Sequence, residues 1–172
     1  REMPKDLNRS VAKYLHTLTD FERISDHALN IAESAREIKE KGITFTPNAL
    51  HEMDVMMKAL ERIVHITVSS FAENDLDKAY LVEPLEEVID DLCEKMRFNH
   101  VDRLTKGECT ILNGYVFNDL IGNYERISDH CSNTAATLIE MEEGVFGLHT
   151  YTNEVKDRHT HNYKFFSDAF TL

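Results

Sequence analysis

At 172 residues the chain has room for one domain with a sizeable core, and 19 Lys plus Arg against 31 Asp plus Glu give a net charge of −12. That charge argues against a phosphate backbone or nucleic acid as partner and favours cations or basic surfaces. Three cysteines without CxxC spacing, Cys93, Cys109 and Cys131, argue against a disulfide framework or a structural zinc site and fit a reducing compartment, while the lack of an apolar run near the roughly 20 residues of a membrane span, or of a signal-peptide segment, makes this stretch read as soluble, with no direct membrane insertion.

Only six glycines and three prolines punctuate the sequence, and apolar residues recur between them at steps of three and four, which predicts an all-α antiparallel bundle. The first helix, about 6–41, carries the stripe Leu7, Val11, Tyr14, Leu18, Phe21, Ile24, Ala28, Ile31, Ala35 and Ile38 and stops at Gly42. The second, about 47–73, opens on Thr46 as N-cap with Pro47 in the first turn. A third helix over about 75–106 and a fourth over about 110–143 are joined at Gly107 and Glu108 by a tight antiparallel turn. Residues 1–144 thus form the bundle, and the tail 145–172, with the weaker pattern Val155, His159, Tyr163, Phe166 and Phe170, holds a further short helix packed on it. The chain starts at Arg1 and leads at once into a helix, so a longer protein is expected, with room for membrane spans upstream.

Residues 20–35 read DFERISDHALNIAESA and residues 123–138 read NYERISDHCSNTAATL. Six consecutive identities mark a duplicated unit of three helices. The second, third and fourth helices make one complete copy, and the first helix is the last helix of a preceding copy. In each copy the polar residues fall at i, i+4 and i+8, as Glu22, Asp26, Asn30 and Glu125, Asp129, Asn133, and line one helical face. Like charges at i, i+4 repel, so the pattern calls for a positive partner, and a bound cation is the simplest.

The third helix repeats the spacing with Glu86 and Asp90. Reflection about a turn near residue 108 brings this pair level with Glu125 and Asp129, and four carboxylates at one level suit a hard or borderline cation. The same reflection about residue 44 sets Glu22 and Asp26 opposite Ile63 and Thr67, so that site lacks its partner pair. A solvated acidic face is the bland reading of any single acidic pair; the repetition and the matched levels count against it for the 86, 90, 125, 129 set. The helical wheel puts these carboxylates opposite the apolar stripe of Phe21, Ile24, Ala28, Ile31, Tyr124, Ile127, Cys131 and Leu138. They should stay partly exposed while the stripe is buried, unlike the inward carboxylates of a ferritin-like oxidase. His27 and His130 read as surface or capping groups, His149, His159 and His161 as titrating tail residues, and Cys131 as a packed thiol. No P-loop, GxSxG or HExxH pattern points to catalysis.

The two ERISDH blocks resemble the PhoU family of phosphate-uptake regulators, and the resemblance spans residues 6–143. More narrowly, VEPLEEVIDDL, HVDRLTKGECT and NYERISDHCSN resemble the PhoU-like region at the cytoplasmic end of bacterial sodium/phosphate cotransporters. The resemblance implies a three-helix-repeat bundle with metal ions, iron first and zinc or manganese after it, on its outer surface. Carried over, the ligands are Glu22 and Asp26 in one site, and Glu86, Asp90, Glu125 and Asp129 in the other. It further implies a regulatory domain rather than an enzyme, on the cytoplasmic side of the cell membrane, with an upstream transmembrane transporter domain as partner and room for a homo-oligomer. The competing reading is a carboxylate-bridged metalloenzyme, a di-metal oxidase or hydrolase, which requires an enclosed pocket.

Overall fold

A computed structural model describes residues 5–143 and 152–172, and every regular element among them is a helix. α1 (Lys5–Lys41) ends where the sequence places a glycine. Gly42, at φ 61°, lets its own N–H and that of Ile43 turn back to the carbonyls of Lys39 and Ile38 at 3.4 and 2.9 Å, a left-handed cap that an L side chain would strain. α2 (Pro47–Glu73) starts with Thr46 Oγ1 accepting from Ala49 N at 3.2 Å and ends at Asn74, φ 55°.

The single helix expected over 75–106 is two. α3 (Leu76–Ala79) is capped by Asp75, which accepts from Lys78 N at 3.1 Å, and α4 runs Val82–Thr105. Pro84 accounts for the break: it has no N–H to give the Tyr80 carbonyl, and its ring would collide with that carbonyl in a continuous helix. Restarting at Val82 places Pro84 in a first turn, where the missing donor costs nothing. α5 (Ile111–Glu143) begins at Thr110, whose hydroxyl accepts from Asn113 N at 3.2 Å. The tail forms α6 (Thr152–Ala169), an 18-residue helix, longer than the short one expected; residues 144–151 lie outside the described residues. Among the described residues no helix is long and apolar enough to cross a membrane.

α2, α4 and α5 enclose the core. Met56 and Ile63 of α2, Leu85, Ile89, Leu92 and Met96 of α4, and Phe117 and Ile121 of α5 are fully buried there. α6 lies along α4 and adds Phe166. α1 packs along α5 rather than pairing with α2; it meets α2 through side chains, the rings of Tyr14 and Phe21 standing 6.1 and 5.4 Å from that of Phe71. The expected facing of Glu22 and Asp26 with Ile63 and Thr67 therefore does not occur, since Ile63 and Thr67 point into the core. Burial follows suit. Tyr124, Ile127, Cys131 and Leu138 of α5 are buried as expected, but Phe21, Ile24 and Ile31 are only half-buried and Ala28 is exposed, because α1 has α5 along one flank and solvent along the other.

One polar contact inside the bundle has no counterpart in the sequence reading. Arg103 grips Glu52 through two hydrogen bonds of 2.9 Å, Asn99 donates to the same carboxylate at 2.8 Å, and the guanidinium lies 5.2 Å from the Phe117 ring centroid. Both side chains are 6% exposed. A paired charge is tolerated at such depth, whereas an orphaned one is not. Glu52→Ala should cost about 3–5 kcal/mol in urea unfolding, more than the Glu52→Met/Arg103→Met pair, which removes both charges. Ile127→Ala, a large-to-small change at a 4% exposed site, should cost about 2–5 kcal/mol in the same experiment; no loss there would mean that α5 is rotated from its assigned register.

Candidate metal centre

α4 and α5 form the antiparallel hairpin that the tight turn dictates, and one outer face of it gathers the acidic residues. The carboxylates of Glu86, Asp90 and Asp129 each offer an oxygen within 4.8 Å of the others. Hard cations sit about 2.0–2.6 Å from oxygen ligands, so modest side-chain adjustment would let one ion between these oxygens meet all three. Donors of oxygen only, half-buried to exposed, suit iron, manganese or magnesium more than a thiolate-seeking metal. The residues present therefore fit the ion that the repeat pattern called for.

The electrostatics of the cluster show what holding it together costs. Burial first, then Asp90 and Asp129, push the Glu86 carboxyl from 4.5 up to about 7. Asp90 is raised as well, by burial and then by Asp129 and Glu125, with Arg97 pulling the other way. Beneath them the Cys93 thiol is pushed up to about 12, chiefly by burial, so it packs as a neutral group. Cys131 is likewise held at about 12 by burial and serves the core.

The fourth expected ligand, Glu125, lies on the same face but is engaged elsewhere: Arg97 of α4 donates to its carboxylate. Sequence reasoning passed over Arg97. The signal was its spacing, seven residues beyond Asp90 and so two turns along the same stripe. In the other copy, Glu22 and Asp26 are exposed and, among the described residues, join no cluster of three ligand-type side chains.

The motif histidines have a structural task. Asn123 Nδ2 donates to the Asp119 carbonyl at 2.9 Å, which fixes its amide so that Oδ1 accepts from His27 Nδ1 at 2.9 Å and from Asn30 Nδ2 at 3.1 Å. His130 Nδ1 donates to Asp20 Oδ1, also at 2.9 Å. Asp20 and Asn123 occupy equivalent places in the two copies, as do His27 and His130, so the copies exchange partners across the α1–α5 seam. The two imidazoles stack between them with centroids 5.9 Å apart.

A family model described as the PhoU domain matches residues 53–138. The chain belongs to the PhoU family. It is 29% identical over 136 residues to the phosphate-specific transport system accessory protein PhoU homolog 1 of Thermotoga maritima, covering 79% of this chain and 58% of that protein. It is 26% identical over 136 residues to the PhoU homolog of Streptococcus pneumoniae, with 79% and 62% covered. For the Deinococcus radiodurans PhoU homolog the figures are 24% over 130 residues, 74% and 58%. The chain thus spans about three-fifths of the length of these relatives. No solved structure matches it. The PhoU match runs from early α2 to late α5 and so contains the whole carboxylate cluster.

The raised Glu86 gives this PhoU domain a pH signature. Below about pH 4.5 the carboxyl is protonated folded or unfolded and contributes nothing. Between 4.5 and about 7 the unfolded chain releases its proton first, so the metal-free fold loses stability as pH rises through that window and stays weakened above it. Glu86→Gln should raise metal-free stability at pH 8 by about 1 kcal/mol, the shift being discounted for a half-exposed group, and leave it unchanged at pH 4. Guanidinium titrations at both pH values check this, and an equal gain at each would contradict it.

Proposed function

We propose that this PhoU domain regulates phosphate uptake as a metal-binding module, with Glu86, Asp90 and Asp129 as the core ligands, Glu125 as a fourth, and iron, or else manganese or zinc, as the ion. The observation that carries the reading is the convergence of three carboxylates against their own repulsion, on a chain already at −12; a cation relieves what the fold alone leaves unfavourable. Its placement supports regulation over catalysis. The cluster is on an outer face, whereas a cavity of about 520 Å³ lies elsewhere, lined by His51, Lys95, Asn99 and Arg103 among others. A di-metal oxidase or hydrolase needs its ligands inside such a cavity.

The setting is also a proposal. The relatives are phosphate-specific transport accessory proteins by name, and phosphate transport is the role carried over here. We place the domain on the cytoplasmic side of the membrane, attached to the transmembrane part of a sodium-dependent phosphate transporter. The outer face of α1 supports further helices of the same protein packing on it. Tyr14 and Leu18, 51% and 64% exposed, correspond through the repeat to Phe117 and Ile121, 1% and 0% exposed under α2 and α4. The repeat thus supplies α1 with a core-forming stripe that α5 uses and α1, among the described residues, does not. Glu22 and Asp26 would find their missing partners on that added layer.

Thermal denaturation after chelation tests the metal reading. An ion that binds only the folded state stabilises it by about 2.7 kcal/mol at a hundredfold excess over its dissociation constant, so added iron, manganese or zinc should raise Tm by several degrees. Asp90→Asn/Asp129→Asn should abolish most of that rise without lowering the metal-free Tm, while Glu22→Gln/Asp26→Asn should keep it. Equal responses in the wild type and the Asp90/Asp129 variant, both carrying His159→Gln and His161→Gln to remove tail imidazoles, would reduce the cluster to a solvated acidic face.

A further inference from the structure

α4 carries Glu86, Asp90, Cys93 and Arg97 at the steps of one helical stripe. The first two meet Asp129, the thiol turns inward, and the guanidinium reaches across to Glu125. Four carboxylates thus share one face of the hairpin with a fixed positive charge set among them. Arg97 differs from the other arginine nearby: Arg126 approaches Asp129 only to 3.8 Å from its own helix and is 67% exposed, while Arg97 ties α4 to α5 and is 43% exposed. A guanidinium stays charged at any physiological pH and meets a carboxylate with a planar pair of donors. It cannot step aside by losing a proton. An ion that ligates Glu125 through the oxygen that Arg97 holds must displace the guanidinium from it.

We propose that Arg97 is the resident counter-cation of the site, holding Glu125 while no metal is bound, so that an incoming ion gains its fourth carboxylate only by displacing the guanidinium. The inference rests on the metal reading above and concerns how that site is set. Two consequences follow from charge alone. The ion does not enter a vacant four-carboxylate cup, since one cup member is already compensated. After displacement the guanidinium remains a neighbour of the ion and repels it. Arg97 therefore lowers the affinity of the site and places its half-saturation at a higher ion concentration than the carboxylates alone would give.

The alternative is that Arg97 only fastens one helix to the next. The two roles separate in a titration of the full chain with Mn²⁺, followed by calorimetry and by the loss of the free-ion electron paramagnetic resonance signal. The wild type is compared with Arg97→Gln, Arg97→Lys, Glu125→Gln and the Arg97→Gln/Glu125→Gln pair. Removing one unit charge a few ångströms from the ion, at a half-exposed position, should tighten Mn²⁺ binding about tenfold in Arg97→Gln. Arg97→Lys, which keeps the charge but loses the planar grip, should fall between. Glu125→Gln should weaken binding more in the Arg97→Gln background than in the wild type, because there the carboxylate is free to ligate. A fastening role predicts a lower metal-free Tm for Arg97→Gln with the Mn²⁺ dissociation constant unchanged within about twofold, and that result, or weaker binding, overturns the proposal. If the wild type binds Mn²⁺ and loses it on Asp90→Asn/Asp129→Asn while Arg97→Gln has no effect, this inference alone fails. If neither the wild type nor any variant binds Mn²⁺, the metal reading fails and takes this one with it.

Discussion

The register between α4 and α5 governs the rest. It is fixed at one end by the turn, where Gly107 at φ 70° and the Glu108 N–H to Arg103 carbonyl bond of 2.9 Å reverse the chain within a few residues. Inside the hairpin it is fixed by His100, whose buried ring sits against Gly114: a Cβ there would come within 2.5 Å of Nε2. From that register Leu92, Met96, Phe117 and Ile121 come into one core, and on the adjoining face Asp90 reaches the level of Asp129. A slip of one turn, about 5.4 Å, would keep an apolar core of sorts but would take the carboxylates out of reach of a common ion.

Much of this was legible in the sequence because helices advertise themselves by period. The starts at Thr46 and Pro47, the stops at Gly42 and Gly107, and the shared face of the α4 and α5 carboxylates followed from spacing and turn chemistry. What escaped depended on partners. Pro84 lies within an uninterrupted apolar rhythm, and only its missing N–H against the Tyr80 carbonyl reveals that the helix must restart. The Glu52–Arg103 pair joins residues 51 positions apart, which no periodicity relates. α1 is less buried than its stripe predicts, because a stripe shows which side can be covered, not whether anything covers it. Spacing makes Glu125 one of four equivalent carboxylates, and only the position of Arg97 on the same stripe distinguishes it as the one already paired.

Acidity on α4 is shared between two faces. Glu86 and Asp90 turn toward α5, and their immediate neighbours Glu87 and Asp91 turn toward α6. There His159 Nε2 lies 3.4 Å from Glu87, and the Tyr163 hydroxyl donates to Asp91 at 2.5 Å. The Tyr163 hydroxyl is raised accordingly, first by its bond to Asp91. The doublets Glu86-Glu87 and Asp90-Asp91 thus split, one member of each serving the tail and the other the cluster, and the high negative charge of the chain is an inventory of separate local demands rather than a uniform coat.

The exchange of partners across the α1–α5 seam bears on why the repeated block is as long as it is. The proposed ion would use only the glutamate and the aspartate of ERISDH. The histidine answers to the opposite copy, His27 to Asn123 and His130 to Asp20; the isoleucine answers to packing in both copies, Ile127 buried and Ile24 against the core, and the serine in one, Ser128 being buried while Ser25 is exposed. Each copy therefore supplies the partner of its sibling's histidine. A change at His130 takes from Asp20 a partner one repeat away, whereas Asn123 would keep Asn30 after a change at His27, so the two repeated segments are coupled unequally across the seam.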